Sequence, residues 1–278
     1  MDSKPTFRTV LEPVRGVAQI GRKDRITMLG SCFTDNVGSR LATDGFDVAI
    51  NSMGILFNPA SIAAVVSRAL AGRPYTMADL CEHCGVWHCL ELESRRQSAD
   101  ADALLSQLNS DFEAFARRLV ETDVLIITFG TAWVFEYVPT GKIVGNCHKL
   151  DSRLFSRRRL SVDEIVEMWL PLLSDCRTIF TVSPIRHLAD GLHGNQLSKA
   201  TLQLSIDALG AEYFPAYEAV LDDLRDYRFY DADMKHPSAV AVDYIYSLFT
   251  DTYFTKDVMA RALESRRCAL RSNHRPIL

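Results

Sequence analysis

The chain has 278 residues, of which 47% are apolar and 24% charged, a composition typical of a globular protein with a substantial core. Its formal net charge is -4, so it lacks the basic excess of a dedicated nucleic-acid binder. It has no run of about 18 uncharged apolar residues, no apolar signal segment after residues 1–5 and an odd number of cysteines, which predicts a cytoplasmic protein without membrane contact.

Short β-prone runs alternate with helical patterns from the start of the chain. The first apolar run, 26–29, ends at Gly30 and leads into a helical pattern over 34–42. A second run, 46–50, precedes a helix that begins at Pro59, whose fixed φ suits a first helical turn. Apolar residues at helical spacing then predict a helix over about 101–121.

The second half of the chain continues the alternation. An all-apolar run over 124–129 is typical of a central parallel strand, and a helix over 162–173 precedes the next strand, 178–182. A helix over 213–226 precedes a predicted fifth strand, 228–230, and another helix spans 237–250. This order predicts one doubly wound α/β domain over 1–278, with loop insertions at 72–100 and 131–160. Ligands of such sheets bind beyond the carboxyl ends of the strands.

Ser31 is the candidate nucleophile, because it lies on the turn between the first strand and the following helix. Gly30 permits a tight turn, and the free N–H groups at a helix start can hold an anion. A serine there can attack a carbonyl while its own N–H receives the oxyanion. The alternative is that Ser31 only caps the helix. Cys32 is a rival nucleophile, since a helix amino terminus also lowers a thiol pKa, but its side chain is expected to point away.

Asp233 and His236 are the candidate acid and base. They stand three residues apart on one turn, just after the predicted fifth strand. This spacing lets the carboxylate hold the imidazole Nδ1–H and leaves Nε2 free to take a hydroxyl proton. The alternative is a loop in which Asp233 satisfies backbone N–H groups and His236 is simply exposed.

Together, the motifs Gly30-Ser31-Cys32-Phe33 and Asp233-x-x-His236 resemble the GSCFA family, a branch of the SGNH superfamily of GDSL-like esterases. The similarity covers roughly residues 20–250 and includes the segments 129–133, 145–149, 181–187, 193–196 and 225–230. It implies a flavodoxin-like three-layer α/β/α fold with a five-stranded parallel sheet. It also implies acyl transfer through Ser31, His236 and Asp233, with a small-molecule or glycan acyl ester as the substrate.

The resemblance further implies an oxyanion hole made by the Ser31 N–H, a glycine after the second strand and an asparagine after the third. Gly54 matches the glycine by position. The third-strand loop has Ala132 where the asparagine is expected, so Asn146 or Thr131 is the candidate replacement. If neither serves, the hole lacks one donor, which costs on the order of 100-fold in rate.

Five further side chains are expected to line or organise the substrate pocket through the same resemblance: Trp87, His88, Trp133, His148 and His187. For Trp133 a place in the core is the alternative, and for His148 and His187 the alternative is a hydrogen-bonding role without part in catalysis.

The segment 81–89 holds three cysteines and two histidines at a spacing that suits zinc. Only Cys147-His148 offers a second half for such a site, so reduced thiols are the preferred interpretation and no metal is expected. No phosphate-binding or dinucleotide-binding glycine motif occurs, so no cofactor is expected.

Three functions are compatible with these residues. The first is a serine esterase that works through an acyl-enzyme. The second is an acyltransferase that uses the same triad. The third is a ligand-binding module with a silent triad, suggested by the missing oxyanion-hole asparagine.

Overall fold

The computed structural model describes residues 8–173 and 176–273, and the chain start considered above, residues 1–5, lies outside them. The strands are β1 (Ile26–Gly30), β2 (Val48–Ile50), β3 (Cys81–His83), β4 (Val86–His88), β5 (Gln97–Ser98), β6 (Val124–Phe129), β7 (Trp133–Tyr137), β8 (Lys142–Val144), β9 (Phe155–Arg159), β10 (Arg177–Val182) and β11 (Glu212–Phe214). The helices are α1 (Cys32–Thr43), α2 (Pro59–Leu70), α3 (Ala101–Val120), α4 (Val162–Trp169), α5 (Gly191–Ala208), α6 (Ala216–Glu218), α7 (Ala239–Tyr253) and α8 (Lys256–Asn273). Within the described ranges, no helix combines the length and the apolarity needed to cross a lipid bilayer.

The central sheet contains β11, β10, β6, β1 and β2 in that order, and every neighbouring pair is parallel. This is the flavodoxin-like strand order, 2-1-3-4-5 when only these strands are counted along the chain. β1 and β6 are buried along their whole length, because helices cover both faces of the sheet. The predicted three-layer α/β/α fold with a five-stranded parallel sheet is confirmed.

Two separate cores lie on the two faces of the sheet. Leu125, Ile127 and Phe129 of β6 point into the core beneath α2, α3, α4 and α5. Val124 and Ile126 of the same strand point into the opposite core, beneath α1 and α7. Side chains alternate across a strand with a period of two, so one apolar run supplies both cores.

Trp169 joins three elements of the larger core. Its fully buried ring packs edge-on against Phe129 at 5.3 Å and Phe180 at 5.2 Å between ring centroids. Its indole N–H donates to the Pro59 carbonyl oxygen at 3.1 Å. The end of α4 is thereby fixed against the sheet and the start of α2.

The predicted insertions contain small antiparallel sheets. Within 72–100, β4 lies between β3 and β5. Within 131–160, β7 lies between β8 and β9, and it starts only four residues after β6 ends. The second sheet therefore stands directly over the carboxyl edge of the central sheet.

The prediction of a fifth strand at 228–230 is wrong. The fifth strand is β11, in which Tyr213 lies opposite Phe180 of β10. Residues 227–229 instead form a 3₁₀ turn capped by Asp226, whose carboxylate accepts the Arg228 N–H at 2.9 Å. Each segment ends in a buried aromatic residue, but Phe214 lies in a strand paired with β10, whereas Tyr230 forms only an isolated antiparallel bridge with Pro237.

The helix predicted over 213–226 is correspondingly displaced. It begins at Ala216, directly after Pro215, and continues as a π-helical segment, Ala219–Leu224. It ends at Arg225, whose φ of 48° is left-handed. The Asp233 and His236 loop therefore follows a 3₁₀ turn rather than a sheet strand.

Candidate active site

Ser31 caps α1 and also faces the space above the sheet. Its Oγ accepts the Phe33 N–H at 3.3 Å and donates to Ser183 Oγ at 3.1 Å. Its side chain is held at the strand–helix turn by Gly30, whose φ is 149° and whose Cα lies against the Thr128 carbonyl. Ser31 thus caps α1 through its side chain and also lines a cavity at the carboxyl edge of the sheet.

The Asp233–His236 pair is assembled by a tight loop. Asp233 Oδ2 accepts the His236 Nδ1–H at 2.5 Å, and Oδ1 accepts the backbone N–H groups of Lys235 and His236 at 2.9 and 3.0 Å. Those hydrogen bonds hold the pKa of Asp233 well below its usual range. The carboxylate therefore stays ionised, fixes the imidazole tautomer and leaves Nε2 as the acceptor.

Ser31 and His236 line one cavity of about 550 Å³, a size typical of small-molecule sites. Among the residues that the structure describes, the Ser31 hydroxyl donates to Ser183 and forms no hydrogen bond with His236. The two side chains therefore share a space without the direct contact of an assembled triad. Catalytic hydrogen bonds are often long in unliganded sites and tighten when substrate binds.

The proposed oxyanion-hole residues differ in their availability. The Gly54 N–H donates to the Asn51 carbonyl at 2.7 Å, and Gly54 is not part of the cavity wall. The Thr131 N–H donates to the Phe57 carbonyl at 3.0 Å, and its hydroxyl lies 3.1 Å from Ser198 Oγ. Both residues are therefore occupied by structural hydrogen bonds.

Asn146 is better placed than either of them. It lines the cavity, and its Oδ1 accepts the His148 N–H at 2.8 Å. That bond fixes the amide and leaves its NH₂ group as the donor side. Thr131 lines the cavity as well, but of the three candidates only Asn146 presents a side-chain amide there.

Two of the five proposed pocket residues line the cavity. Trp133 does so while its indole N–H donates to the Gly194 carbonyl at 3.2 Å. His187 does so as well, and burial, followed by the charge of Lys199, lowers its pKa to about 3. A neutral imidazole at this position can exchange hydrogen bonds with a ligand but carries no charge.

The other three pocket candidates lie outside the cavity wall. His88 and His148 are buried and meet at 3.3 Å between their Nδ1 atoms, and His148 Nε2 lies 3.2 Å from the Leu92 carbonyl oxygen. Burial lowers the pKa of both imidazoles. Trp87 packs at the edge of the larger core. These residues organise the packing of the insertions rather than the cavity surface.

The cysteines do not compete with Ser31. Cys32 lines the cavity, but burial and the nearby Asp35 carboxylate raise its pKa, which disfavours the nucleophilic thiolate. Cys81 pairs with His88 across the β3–β4 hairpin, and Cys84 is exposed at its turn. Within 8–173 and 176–273, no three such side chains are grouped as metal ligands.

Three polar residues of this region were not singled out from the sequence. Ser183 holds the Ser31 hydroxyl, and Asn58 lines the cavity while capping α2. Lys199 is 1% exposed, and its Nζ donates to the carbonyl oxygens of Gly130 and Ser183 at 2.6 Å each. Ser183 directly follows β10, and Asn58 precedes Pro59 at the start of α2, so both positions could have been noticed in the sequence. Nothing in the sequence indicates that Lys199 is buried.

Ser31 and His236 line one cavity at the carboxyl edge of the parallel sheet, and Asp233 is hydrogen-bonded to His236. The molecule is therefore an α/β protein with a candidate Ser–His–Asp site. A model of the GSCFA family matches residues 25–249, so the chain belongs to the GSCFA family. No curated protein matches it. One similar solved structure is the psychrotrophic esterase EstA from Pseudoalteromonas sp., inhibited by monoethylphosphonate. It has 12% identity and a TM-score of 0.37, and the match covers 83% of this chain and 96% of that one.

Proposed function

We propose that this protein is a serine esterase in which Ser31 forms an acyl-enzyme, His236 transfers protons and Asp233 orients the imidazole. The observation that carries the proposal is that Ser31 and His236, 205 positions apart in the sequence, line the same cavity. The Asp233–His236 hydrogen bond leaves Nε2 as the basic nitrogen.

The reaction begins when the Ser31 hydroxyl exchanges its Ser183 partner for His236 Nε2. Nε2 takes the proton as Oγ bonds to the ester carbon, and the carbonyl electron pair moves onto its oxygen. The Ser31 N–H and the Asn146 amide are the donors proposed for that oxyanion. The C–O bond to the alcohol then breaks while Nε2 returns the proton to the leaving oxygen. Water repeats the sequence on the acyl-enzyme and releases the acid.

Active-site labelling tests the nucleophile. Wild type is expected to react covalently with a fluorophosphonate probe, and Ser31→Ala is expected to remain unlabelled. Cys32→Ala is the matched control, because it changes the neighbouring residue of the same cavity and should still be labelled. Equal labelling of wild type and Ser31→Ala would refute the assignment of Ser31.

The Ser31–Ser183 hydrogen bond favours one alternative, a ligand-binding module whose triad is silent. In that case neither wild type nor Cys32→Ala reacts with the probe, although both are folded. An acyltransferase would share the labelling result with an esterase. Product analysis with added alcohol or sugar acceptors separates them, because an esterase yields only the free acid.

A further inference from the structure

The charged side chains around the cavity are all basic. Arg157, Arg186 and Lys235 line it, and among the described residues no aspartate or glutamate does. A neutral ester offers these cations no opposite charge, whereas an anionic group would form charge-assisted hydrogen bonds with them. The positive charge of the cavity lining therefore bears on whether the substrate is neutral or anionic.

The three cations differ in how far they are already compensated. Arg157 pairs with Asp190 at 2.5 Å, and its guanidinium lies 4.6 Å from the Phe135 ring centroid. Arg186 lies over the ring of Tyr230 at 4.2 Å and, in the described part of the chain, forms no ion pair. Lys235 likewise has no carboxylate partner within the described ranges. Two positive charges at the cavity wall thus remain without a counter-charge.

Backbone contacts hold these two cations together. The Arg186 N–H donates to the Lys235 carbonyl at 3.2 Å, which joins the loop after β10 to the loop that carries His236. Asp233 of that loop is engaged by His236, and neither Asp231 nor Asp233 lines the cavity. The backbones of Arg186 and Lys235 are therefore joined beside His236, and both side chains line the cavity there.

Apolar side chains form much of the remaining wall, including Phe57, Trp133, Phe135 and Ile185. A substrate that fits must combine an apolar part with a charged end. We infer that the cavity binds esters that carry an anionic group, a carboxylate or a phosphate, which Arg186 and Lys235 recognise. The hydrolysis of such esters rests on the proposed function, whereas the binding of their anionic group does not depend on it.

Matched ester pairs test the inference. On the acyl side, 4-nitrophenyl hemisuccinate is compared with 4-nitrophenyl butyrate; on the alcohol side, 3-acetoxybenzoate is compared with 3-acetoxybenzamide. In at least one pair, kcat/KM is expected to be about 10- to 100-fold higher for the anion, which is the range of a charge-assisted hydrogen bond. The pair that shows the preference identifies the side of the ester that carries the charge. Equal values in both pairs would overturn the inference.

Charge variants give the second measurement. Arg186→Gln and Lys235→Gln are expected to reduce the ratio of anionic to neutral turnover. Arg73→Gln removes the same charge from an exposed position away from the cavity and should leave the ratio unchanged. Salt should weaken the preference of wild type, because it screens charges at a solvent-accessible site. A ratio that is insensitive to both cavity substitutions would contradict the roles of these residues.

Binding to Ser31→Ala separates the inference from the proposed function. Titration calorimetry with 3-acetoxybenzoate and 3-acetoxybenzamide, and with succinate and succinamide, measures charge recognition without turnover. Tighter binding of an anion by Ser31→Ala, together with absent esterase activity of the wild-type protein, would refute the proposed function and support the inference. Turnover of neutral esters by the wild-type protein, together with equal binding of charged and neutral ligands, would support the proposed function and refute the inference.

Discussion

The buried Lys199 provides a direct test of how burial in this fold changes the pKa of a side chain. Its ammonium position lies beneath the cavity, between the carbonyl oxygens of Gly130 and Ser183 at the ends of β6 and β10. The Tyr217 ring is 5.8 Å from Nζ, and no described carboxylate pairs with it. Burial lowers the pKa of Lys199 from 10.5 to about 7. A neutral amine retains two N–H groups, which matches the two carbonyl acceptors.

This pKa shift predicts a specific pH dependence of stability. The unfolded chain keeps the proton up to about pH 10.5, whereas the folded protein releases it near pH 7, so the free energy of unfolding rises with pH between these values. Each pKa unit corresponds to about 1.4 kcal/mol, and the gain from this group between pH 7 and pH 9 is about 2 kcal/mol. Below pH 6 both states are protonated and the contribution is flat.

Lys199→Met is the perturbation that isolates the effect. Methionine keeps most of the side-chain volume and removes the titrating group, and burial still lowers the pKa of the neighbouring His187 when the Lys199 charge is absent. Urea unfolding followed by circular dichroism at pH 6, 7, 8 and 9 gives the free energy of unfolding for both proteins. The wild-type value minus the variant value is expected to rise by about 2 kcal/mol from pH 7 to pH 9. Parallel curves would show that Lys199 keeps its proton in the folded protein.

Four other substitutions, one of them a control, test the fold and the site. Gly30→Ala places a Cβ 2.4 Å from the Thr128 carbonyl oxygen, so we expect a loss of more than about 4 kcal/mol in urea unfolding. Gly72→Ala, at φ 58° with open space around it, should cost only about 1–2 kcal/mol, and similar losses would contradict the steric reasoning. Trp169→Ala should cost about 3–5 kcal/mol, and a loss below about 1 kcal/mol would show that its packing is not needed. Asp233→Asn should lower kcat for a neutral ester by about 10³- to 10⁴-fold with unchanged circular dichroism, whereas full activity would exclude the orienting carboxylate.

The central strands could be predicted because their sequence pattern and their burial agree. The run 124–129 is apolar except for Thr128 and forms the middle of the sheet, as predicted. The edge strand β11 could not be recognised, since its three residues include Glu212 and only Phe214 is buried. A short edge strand needs neither an apolar run nor an alternating one, so 228–230 looked equally suitable.

The helix α5 was missed in the sequence for a different reason. It was not predicted, because its buried face is largely polar: Asn195, Ser198, Lys199, Thr201 and Ser205 all lie inside. Hydrophobic periodicity detects only helices that bury apolar stripes. Here the buried side chains instead satisfy backbone groups of the strand ends, as Lys199 does for Gly130 and Asn195 does for the His187 N–H.

The candidate site was predictable to the extent that its residues are local. Asp233 and His236 are three positions apart, and one turn brings them into contact as expected. The position of Ser183 after a strand was recognisable, but its contact with the Ser31 hydroxyl was not, because the two residues are 152 positions apart. The separation of Trp87, His88 and His148 from the cavity likewise depends on how the insertions fold back.

Two separate parts of the chain form the wall of the cavity. Ser31 and His236 come from loops of the central sheet, whereas Trp133, Phe135 and Arg157 come from the antiparallel sheet of the 131–160 insertion. The insertion thus supplies much of the aromatic wall, whereas the loops of the central sheet supply Ser31, His236 and the two cations Arg186 and Lys235. Exchanging that insertion between relatives should alter which compounds are accepted while the hydroxyl, imidazole and carboxylate keep their places.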